Sequence, residues 1–317
     1  MTKRVGRLMI IPEPIQPGAT IAVISPASAP KPEKLKRGIE YLRSQGFKIR
    51  EGANLWGKNK YLSGQGPEQL ADLHQAFADD EVDMIMCSRG GYGTPRYLDD
   101  LDYELIAQHP KFLVGYSDIT ALQCALGVET GLVTISGAMV AVEMAAEDGI
   151  DSFTETSFWD LLTKPFSGQV LQNPADIPFE TMSAGSGTGP LVGGCLSLFN
   201  NLMGTPYFPD VAGGIMVLED IGENVQHLDR MLSQFKMAGF FHGEDRVNGL
   251  LLGQFIDTWK TADEDDFSLD ELIRDIIGEV DFPIISNFAY GHNMRKLSLP
   301  LGATVKLDGA TGSLTLI

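Results

Sequence analysis

The sequence predicts an α/β protein of two domains, the first built on a mainly parallel sheet with helices on both faces. Three observations lead there. From Thr20 to Ile135, apolar runs of strand length alternate with segments of helical period, the pattern of β-α-β units. Composition changes after about Met144, and the small-residue stretch Ser183 to Gly189 reads as a hinge or linker. The length, 317 residues, suits two domains. The boundaries fall at 15–145 for the N-terminal domain, 146–188 for a connecting segment and 189–317 for the C-terminal domain.

Thr20 to Ile24 is a first buried strand, ended by Ser25-Pro26. Leu35, Ile39 and Leu42 have helix spacing, with Gly46 as the stop. Phe47 to Arg50 is a short strand, and Asn54 to Gly66 is a loop. Leu70, Leu73 and Phe77 mark a second helix. Val82 to Cys87 is a third strand, and it runs into the loop Ser88-Arg89-Gly90-Gly91-Tyr92-Gly93. A short helix spans Tyr103 to Gln108. Phe112 to Val114 is a strand, followed after Ser117 by a helix through Ile119, Leu122, Ala125 and Leu126. Val133 to Ile135 is another strand. Ligands of such sheets sit beyond the carboxyl ends of the strands, where both the glycine loop and Ser117 fall.

Past the domain change, Phe158, Leu161 and Leu162 mark one helix in otherwise polar loop. Leu196, Phe199 and Leu202 mark the next helix. Ile215 to Leu218 is a strand ending on Glu219-Asp220, and Leu228 to Phe235 is helical. Gly249 to Gly253 is a buried strand, and Leu269 to Ile276 is a helix. Phe282 to Ile285 leads to Tyr290-Gly291-His292-Asn293. The tail from Leu297 to Ile317 reads as short β-hairpins with a turn at Asp308-Gly309.

Composition narrows the function. With 44 % hydrophobic and 21 % charged residues the chain has ample core for a soluble globular protein. A net charge of −18 speaks against nucleic acid and anionic membrane surfaces as partners. Cys87, Cys124 and Cys195 lack C-x-x-C spacing, so neither a zinc site nor a disulfide framework is expected; buried, reduced thiols are. The N-terminal stretch carries Lys3, Arg4 and Arg7 but only a short apolar piece from Leu8 to Ile11, cut off by Pro12 and Pro14. It has no signal-peptide pattern and no membrane span, so a cytoplasmic protein is expected.

Two loops could carry chemistry. A serine on a tight strand-to-helix turn stands out above the sheet, and the N–H of the next residue, Asp118, can donate to an oxyanion. Ile119 replaces the second glycine of the nucleophile-elbow motif, and the bland alternative is that Ser117 simply caps the helix. The paired glycines Gly90 and Gly91 let backbone N–H groups approach a ligand. The loop has no phosphate-loop lysine, so a nucleotide reading is weak. A serine nucleophile needs a histidine base and an acid to orient it. His74, His109, His227 and His242 lie in or beside helices, as surface or helix-end residues do. His292 follows Gly291 in a turn after an apolar strand, which can aim an imidazole into a cleft. Glu219 is an acid candidate at a strand end, although a salt-bridge role is equally open.

Taken together, six segments resemble the LD-carboxypeptidase family of serine peptidases, from about Pro17 to about Gly302. They are Tyr61-Leu62-Ser63-Gly64, Arg89-Gly90-Gly91-Tyr92-Gly93, Gly115-Tyr116-Ser117-Asp118-Ile119-Thr120, Leu218-Glu219-Asp220-Ile221-Gly222-Glu223, Asp229-Arg230-Met231-Leu232 and Gly291-His292. The resemblance implies a Rossmann-like N-terminal domain and a smaller β-rich C-terminal domain. It also implies a triad with Ser117 as nucleophile, His292 as base and Glu219 as its orienting acid. The oxyanion hole is then expected from the N–H groups of Gly91 and Asp118. Arg89, Gly90 and Tyr92 are expected to bind substrate, Arg89 as the partner of the free carboxylate.

The implied reaction is removal of the terminal D-alanine from a murein tetrapeptide in cell-wall recycling, without metal or other cofactor. A small peptide or muropeptide is the partner, and a homodimer is implied. A histidine base, with an ordinary pKa of about 6.5, predicts activity that falls below that pH. Two departures touch substrate placement. Ser136-Gly137-Ala138 stands where members often have His-Gly-Pro, and Cys195 where many have Asn. An immunity-type peptidase that cleaves peptidyl or aminoacyl nucleotides is the alternative; such a site needs an aromatic platform, and Trp56 and Trp159 lie in or near loops, with nothing to identify either as that platform. A non-catalytic two-domain binding protein is the reading of another class.

Overall fold

The computed structural model describes residues 8–259 and 268–317; Lys3, Arg4 and Arg7 lie outside them. The first half of the chain runs β1 (Thr20–Ile24), α1 (Pro32–Ser44), β2 (Lys48–Glu51), α2 (Pro67–Ala78), β3 (Met84–Cys87), α3 (Tyr103–Gln108), β4 (Phe112–Gly115), α4 (Ile119–Thr130), β5 (Thr134–Ser136) and α5 (Ser152–Thr163). It continues as β6 (Val170–Gln172), β7 (Glu180–Ser183), β8 (Ser186–Cys195), α6 (Leu196–Asn201), β9 (Ile215–Ile221), α7 (Val225–Met237), β10 (Gly249–Ile256), α8 (Leu269–Ile277), β11 (Ile284–Ser286), β12 (Leu299–Leu301), β13 (Thr304–Asp308) and β14 (Ser313–Leu316). Among the described residues no helix is long and apolar enough to cross a membrane.

Two compact units result. One holds the described residues up to Pro165 with Gly204–Pro209 and Ser298–Ala303; the other holds Phe166–Met203, the described part of 210–297, and Thr304–Ile317. The first contains a six-stranded sheet in the order β12-β5-β4-β3-β1-β2, parallel except for β12. Its middle strands are buried throughout, which is why Ile21 to Ile24, Met84 to Cys87 and Phe112 to Val114 read as unbroken apolar runs. Helix α4 is buried along most of its length, so its apolar residues show no one-sided stripe. The order reverses between β1 and β3. That is the switch point at which doubly wound sheets open a crevice.

The second unit contains an eight-stranded sheet, β6-β14-β13-β8-β9-β10-β11-β7, parallel from β8 to β11 and antiparallel at both ends. This is the Rossmann-like plus β-rich architecture that the resemblance implies.

Four local expectations are corrected. The stretch 183–189 is not a linker: from Ser186 it is β8, paired with β13. Its glycines mark close approach, since a Cβ on Gly187 would lie 1.9 Å from the Asn248 carbonyl oxygen and one on Gly189 2.0 Å from that of Gly213. The tail holds one hairpin, β13 and β14 joined by the expected turn after Asp308, but not a run of them, because β12 leaves to pair with β5. The strand read as ending on Glu219-Asp220 runs one residue further, to Ile221, with both carboxylates buried. Trp159 lies inside α5, stacked on Phe47 at 4.8 Å with its N–H on the Tyr41 hydroxyl, and is no loop platform.

Candidate active site

The serine turn is built locally. Strand β4 delivers Gly115, and α4 starts at Ile119, leaving three residues to turn the chain. Ser117 adopts φ 64°, a left-handed conformation rare outside glycine. Such strain costs on the order of 1–3 kcal/mol and persists only where surrounding structure enforces it. Part of the enforcement is visible. The Ser117 carbonyl accepts the Thr120 N–H at 2.9 Å. A Cβ on Gly90 would lie 2.9 Å from the Ser117 Cβ, so only glycine lets the neighbouring loop come this close. Asp118, not Ser117, takes the cap position of α4, and no side chain caps it. The bland helix-cap reading of the serine hydroxyl is therefore not realised.

The glycine loop lies at the switch point. Ser25 after β1 and Ser88 after β3 join hydroxyls at 2.7 Å, both buried. Ser28 donates its N–H to the Gly90 carbonyl, and its hydroxyl accepts the Tyr92 N–H at 3.1 Å. Gly91 has φ 112°. Among the described residues, neither the Gly91 N–H nor the Asp118 N–H has an acceptor. Arg89 donates Nε to the Gly90 carbonyl at 3.2 Å, and among the described residues no carboxylate lies within ion-pair distance of its guanidinium. Tyr92 is exposed, with the ring of Tyr61 6.1 Å away.

The carboxylate–imidazole pair belongs to the other unit. Glu219 sits on β9 opposite Cys195 of β8, with no exposed surface. Strand β10 shifts register between Leu252 and Phe255, and Gln254 there bridges to Gly291. The Gln254 N–H donates to the Tyr290 carbonyl at 2.8 Å, which docks the loop after β11 over Glu219. Gly291, with φ 131°, packs so tightly that a Cβ would stand 2.9 Å from Glu219 Oε2. The next residue, His292, joins Nδ1 to Glu219 Oε2 at 2.6 Å. The carboxylate can only accept, so Nδ1 carries the proton and Nε2 is left as the basic nitrogen. Burial pushes the Glu219 carboxyl above its usual range, while the His292 bond and charge pull it back down.

The remaining histidines have other partners. His74 Nε2 accepts the Asp102 N–H, His109 faces Asp80, His227 in the first turn of α7 pairs with Glu223 just before the helix, and His242 Nε2 bonds the Ile277 carbonyl. Asp220, next to Glu219, accepts the Ser197 N–H at 2.7 Å at the start of α6. Among the described residues no three His, Cys, Asp or Glu side chains converge to hold a metal ion.

Sequence reasoning overlooked two groups. Lys296 is buried at 1 % exposure and donates Nζ to the Gly291 carbonyl at 3.0 Å, supporting the loop that carries His292. Nothing in Met294-Arg295-Lys296-Leu297 marks that lysine as internal. Thr94, bonded to Asp118, was passed over because it follows the glycine motif rather than belonging to it.

Arranged this way, the first unit offers an accessible strained serine beside unused N–H donors, and the second an imidazole whose tautomer is set by a buried acid. These are the parts of acyl-transfer chemistry.

The comparisons with known proteins agree. Residues 21–137 match the LD-carboxypeptidase N-terminal domain, and residues 188–307 match the LD-carboxypeptidase C-terminal domain. A Bacillus subtilis protein named probable murein peptide carboxypeptidase is 35 % identical over 308 residues, 97 % of this chain and 94 % of the relative. The Escherichia coli microcin C7 self-immunity protein MccF is 26 % identical, covering 94 % of this chain and 93 % of its own. The crystal structure of muramoyltetrapeptide carboxypeptidase from Oxalobacter formigenes superposes with a TM-score of 0.82 at 27 % identity, covering 94 % of this chain and 98 % of that one. With both halves matched in order, and that likeness holding across nearly the whole length, the chain belongs to the LD-carboxypeptidase family of serine peptidases.

Proposed function

We propose that this carboxypeptidase releases the terminal D-alanine of murein tetrapeptides, with Ser117 as nucleophile, His292 as general base and Glu219 as the acid that orients it. The observation that carries the reading is the buried 2.6 Å bond between His292 Nδ1 and Glu219 Oε2. That bond fixes the tautomer with which Nε2 can take a hydroxyl proton.

In the first step Ser117 Oγ attacks the carbonyl that precedes D-alanine, and His292 Nε2 takes the serine proton. The carbonyl oxygen becomes an oxyanion held by the N–H groups of Gly91 and Asp118. The C–N bond breaks, His292 returns the proton to the leaving amine, and D-alanine departs. Water, deprotonated by the same imidazole, then cleaves the acyl ester. Arg89 takes the substrate's free carboxylate, with Gly90 and Tyr92 lining its place. The names of the Bacillus subtilis and Oxalobacter formigenes relatives support a murein peptide as substrate. The same reading puts the enzyme in the cytoplasm, as a homodimer, acting on recycled wall fragments.

The likeness to the microcin immunity protein favours a second reading, cleavage of a peptidyl or aminoacyl nucleotide. Mass spectrometry of a murein tetrapeptide and of an aminoacyl sulfamoyl adenosine, each incubated with wild type and with Ser117→Ala, tests both. Loss of one alanine in wild type alone supports the first reading. Cleavage of the nucleotide conjugate alone supports the second. Equal turnover by Ser117→Ala would remove the serine from the mechanism.

A further inference from the structure

The side chain of Asp118 faces away from the chemistry, yet it is tied to it. Its Oδ2 accepts the Thr94 N–H at 2.9 Å, and the Thr94 hydroxyl donates to the Asp118 carbonyl at 2.6 Å. Both residues have no exposed surface. These bonds join the end of the glycine loop to the turn that holds Ser117, two segments 24 residues apart in the chain. The link is made at some cost. Asp118 Oδ1 is buried and has no partner among the described residues, a state that native proteins seldom tolerate without a reason.

We propose that Asp118 and Thr94 form a latch that sets the spacing between the Gly91 and Asp118 N–H donors, making both of them positioning residues for the oxyanion hole. The inference rests on the reading of Ser117 as nucleophile. Three observations carry it. The latch closes on Asp118 itself, so a shift of the Thr94 hydroxyl moves the peptide unit next to the donor. It opens on Gly93-Thr94, two and three residues past Gly91, with no secondary structure between to absorb a displacement. And the glycine loop already touches the serine, since Gly90 has no room for a Cβ beside Ser117. Such a hole works only if its donors stand within a few tenths of an ångström of where the oxyanion forms.

The test is a series of Thr94→Val, Thr94→Ser and Asp118→Asn, assayed on the substrate that wild type turns over, with Ser117→Ala alongside. Thr94→Val keeps the shape and the backbone N–H but deletes the hydroxyl bond. We expect kcat to fall about tenfold with KM within about threefold, and Thr94→Ser to restore it. Asp118→Asn should cut kcat by about 10²-fold, towards the loss of one oxyanion donor. Affinity for a peptidyl boronate, whose tetrahedral adduct fills the hole, should fall in step with kcat/KM. Wild-type kcat and boronate affinity in folded Thr94→Val, with Ser117→Ala inactive, would overturn the latch and leave the serine mechanism standing. An active Ser117→Ala would instead overturn the reading on which the latch rests. If Asp118→Asn fails to fold, the two Thr94 variants decide.

Discussion

The serine turn and the Glu219–His292 pair solve the same problem, fixing one side chain of the proposed triad, by opposite means. Ser117 is held by residues within a few positions of it and by one glycine loop at the neighbouring strand end. Its left-handed backbone conformation carries local strain. His292 is held by a carboxylate 73 residues away, brought to it by sheet register, a bulge in β10 and a glycine that clears the way. Strain in a short turn is insensitive to distant packing, whereas a pair assembled from separate strands depends on the whole sheet that aligns them.

The largest effect should come from the serine itself. Ser117→Ala is expected to lower kcat by about 10⁴-fold or more, measured as D-alanine release. Ser117→Gly should be as inactive yet more stable by about 0.5–1 kcal/mol in denaturant unfolding, because glycine adopts the left-handed conformation without strain. A destabilised Ser117→Gly would show that the turn stores no strain.

Glu219→Gln should come next, with kcat down by about 10³–10⁴-fold, because the amide no longer selects the productive tautomer. Its stability should move the other way. Burial raises the Glu219 carboxyl above its ordinary 4.5. A raised carboxyl contributes stability below its unfolded pKa and loses it as pH rises through the folded value. Relative to wild type, Glu219→Gln should therefore gain in thermal stability as pH rises across the range above that ordinary value. A constant difference across that range would contradict the direction of the shift.

Gly291 and Gly90, one beside each group, give the most direct contrast. Gly291→Ala meets Glu219 and the Gln254 carbonyl at a positive φ, so it should cost about 2–3 kcal/mol of stability and about 10²-fold in kcat. Gly90→Ala meets the Ser117 side chain and the Tyr116 carbonyl. It should lower kcat about as far at a smaller cost in stability, about 1 kcal/mol, because a loop yields more readily than a sheet-bound turn. Equal losses of stability would erase the distinction between the two constructions.

The smallest effect belongs to Asp220. Its carboxylate serves the start of α6 rather than the imidazole, so Asp220→Asn should change kcat less than about threefold in the same assay.

Much of this molecule was legible along the chain. The alternation of apolar runs and helical periods set out the parallel sheet, because strands buried on both faces must be apolar throughout. The serine turn could be read from Gly115 to Ile119 because its geometry is local, and His292 stood apart from the other histidines by its turn after an apolar strand. Tertiary structure decided the rest. That Ser186 to Gly189 is strand follows from backbones approaching to within a glycine's width, which composition mistakes for flexibility. That β12 joins the first sheet is set by pairing with β5, 163 residues from its own pairing partner in register terms at Ser136 and Leu299. That Glu219 rather than Asp220 meets the imidazole follows from strand pleat and register, which orient neighbouring side chains oppositely. Lys296 and the Asp118–Thr94 link were invisible for the same reason: a hydrogen bond across separate segments leaves no periodic trace in either of them. Sequence determined which local conformations were available; only packing determined which polar groups were buried together.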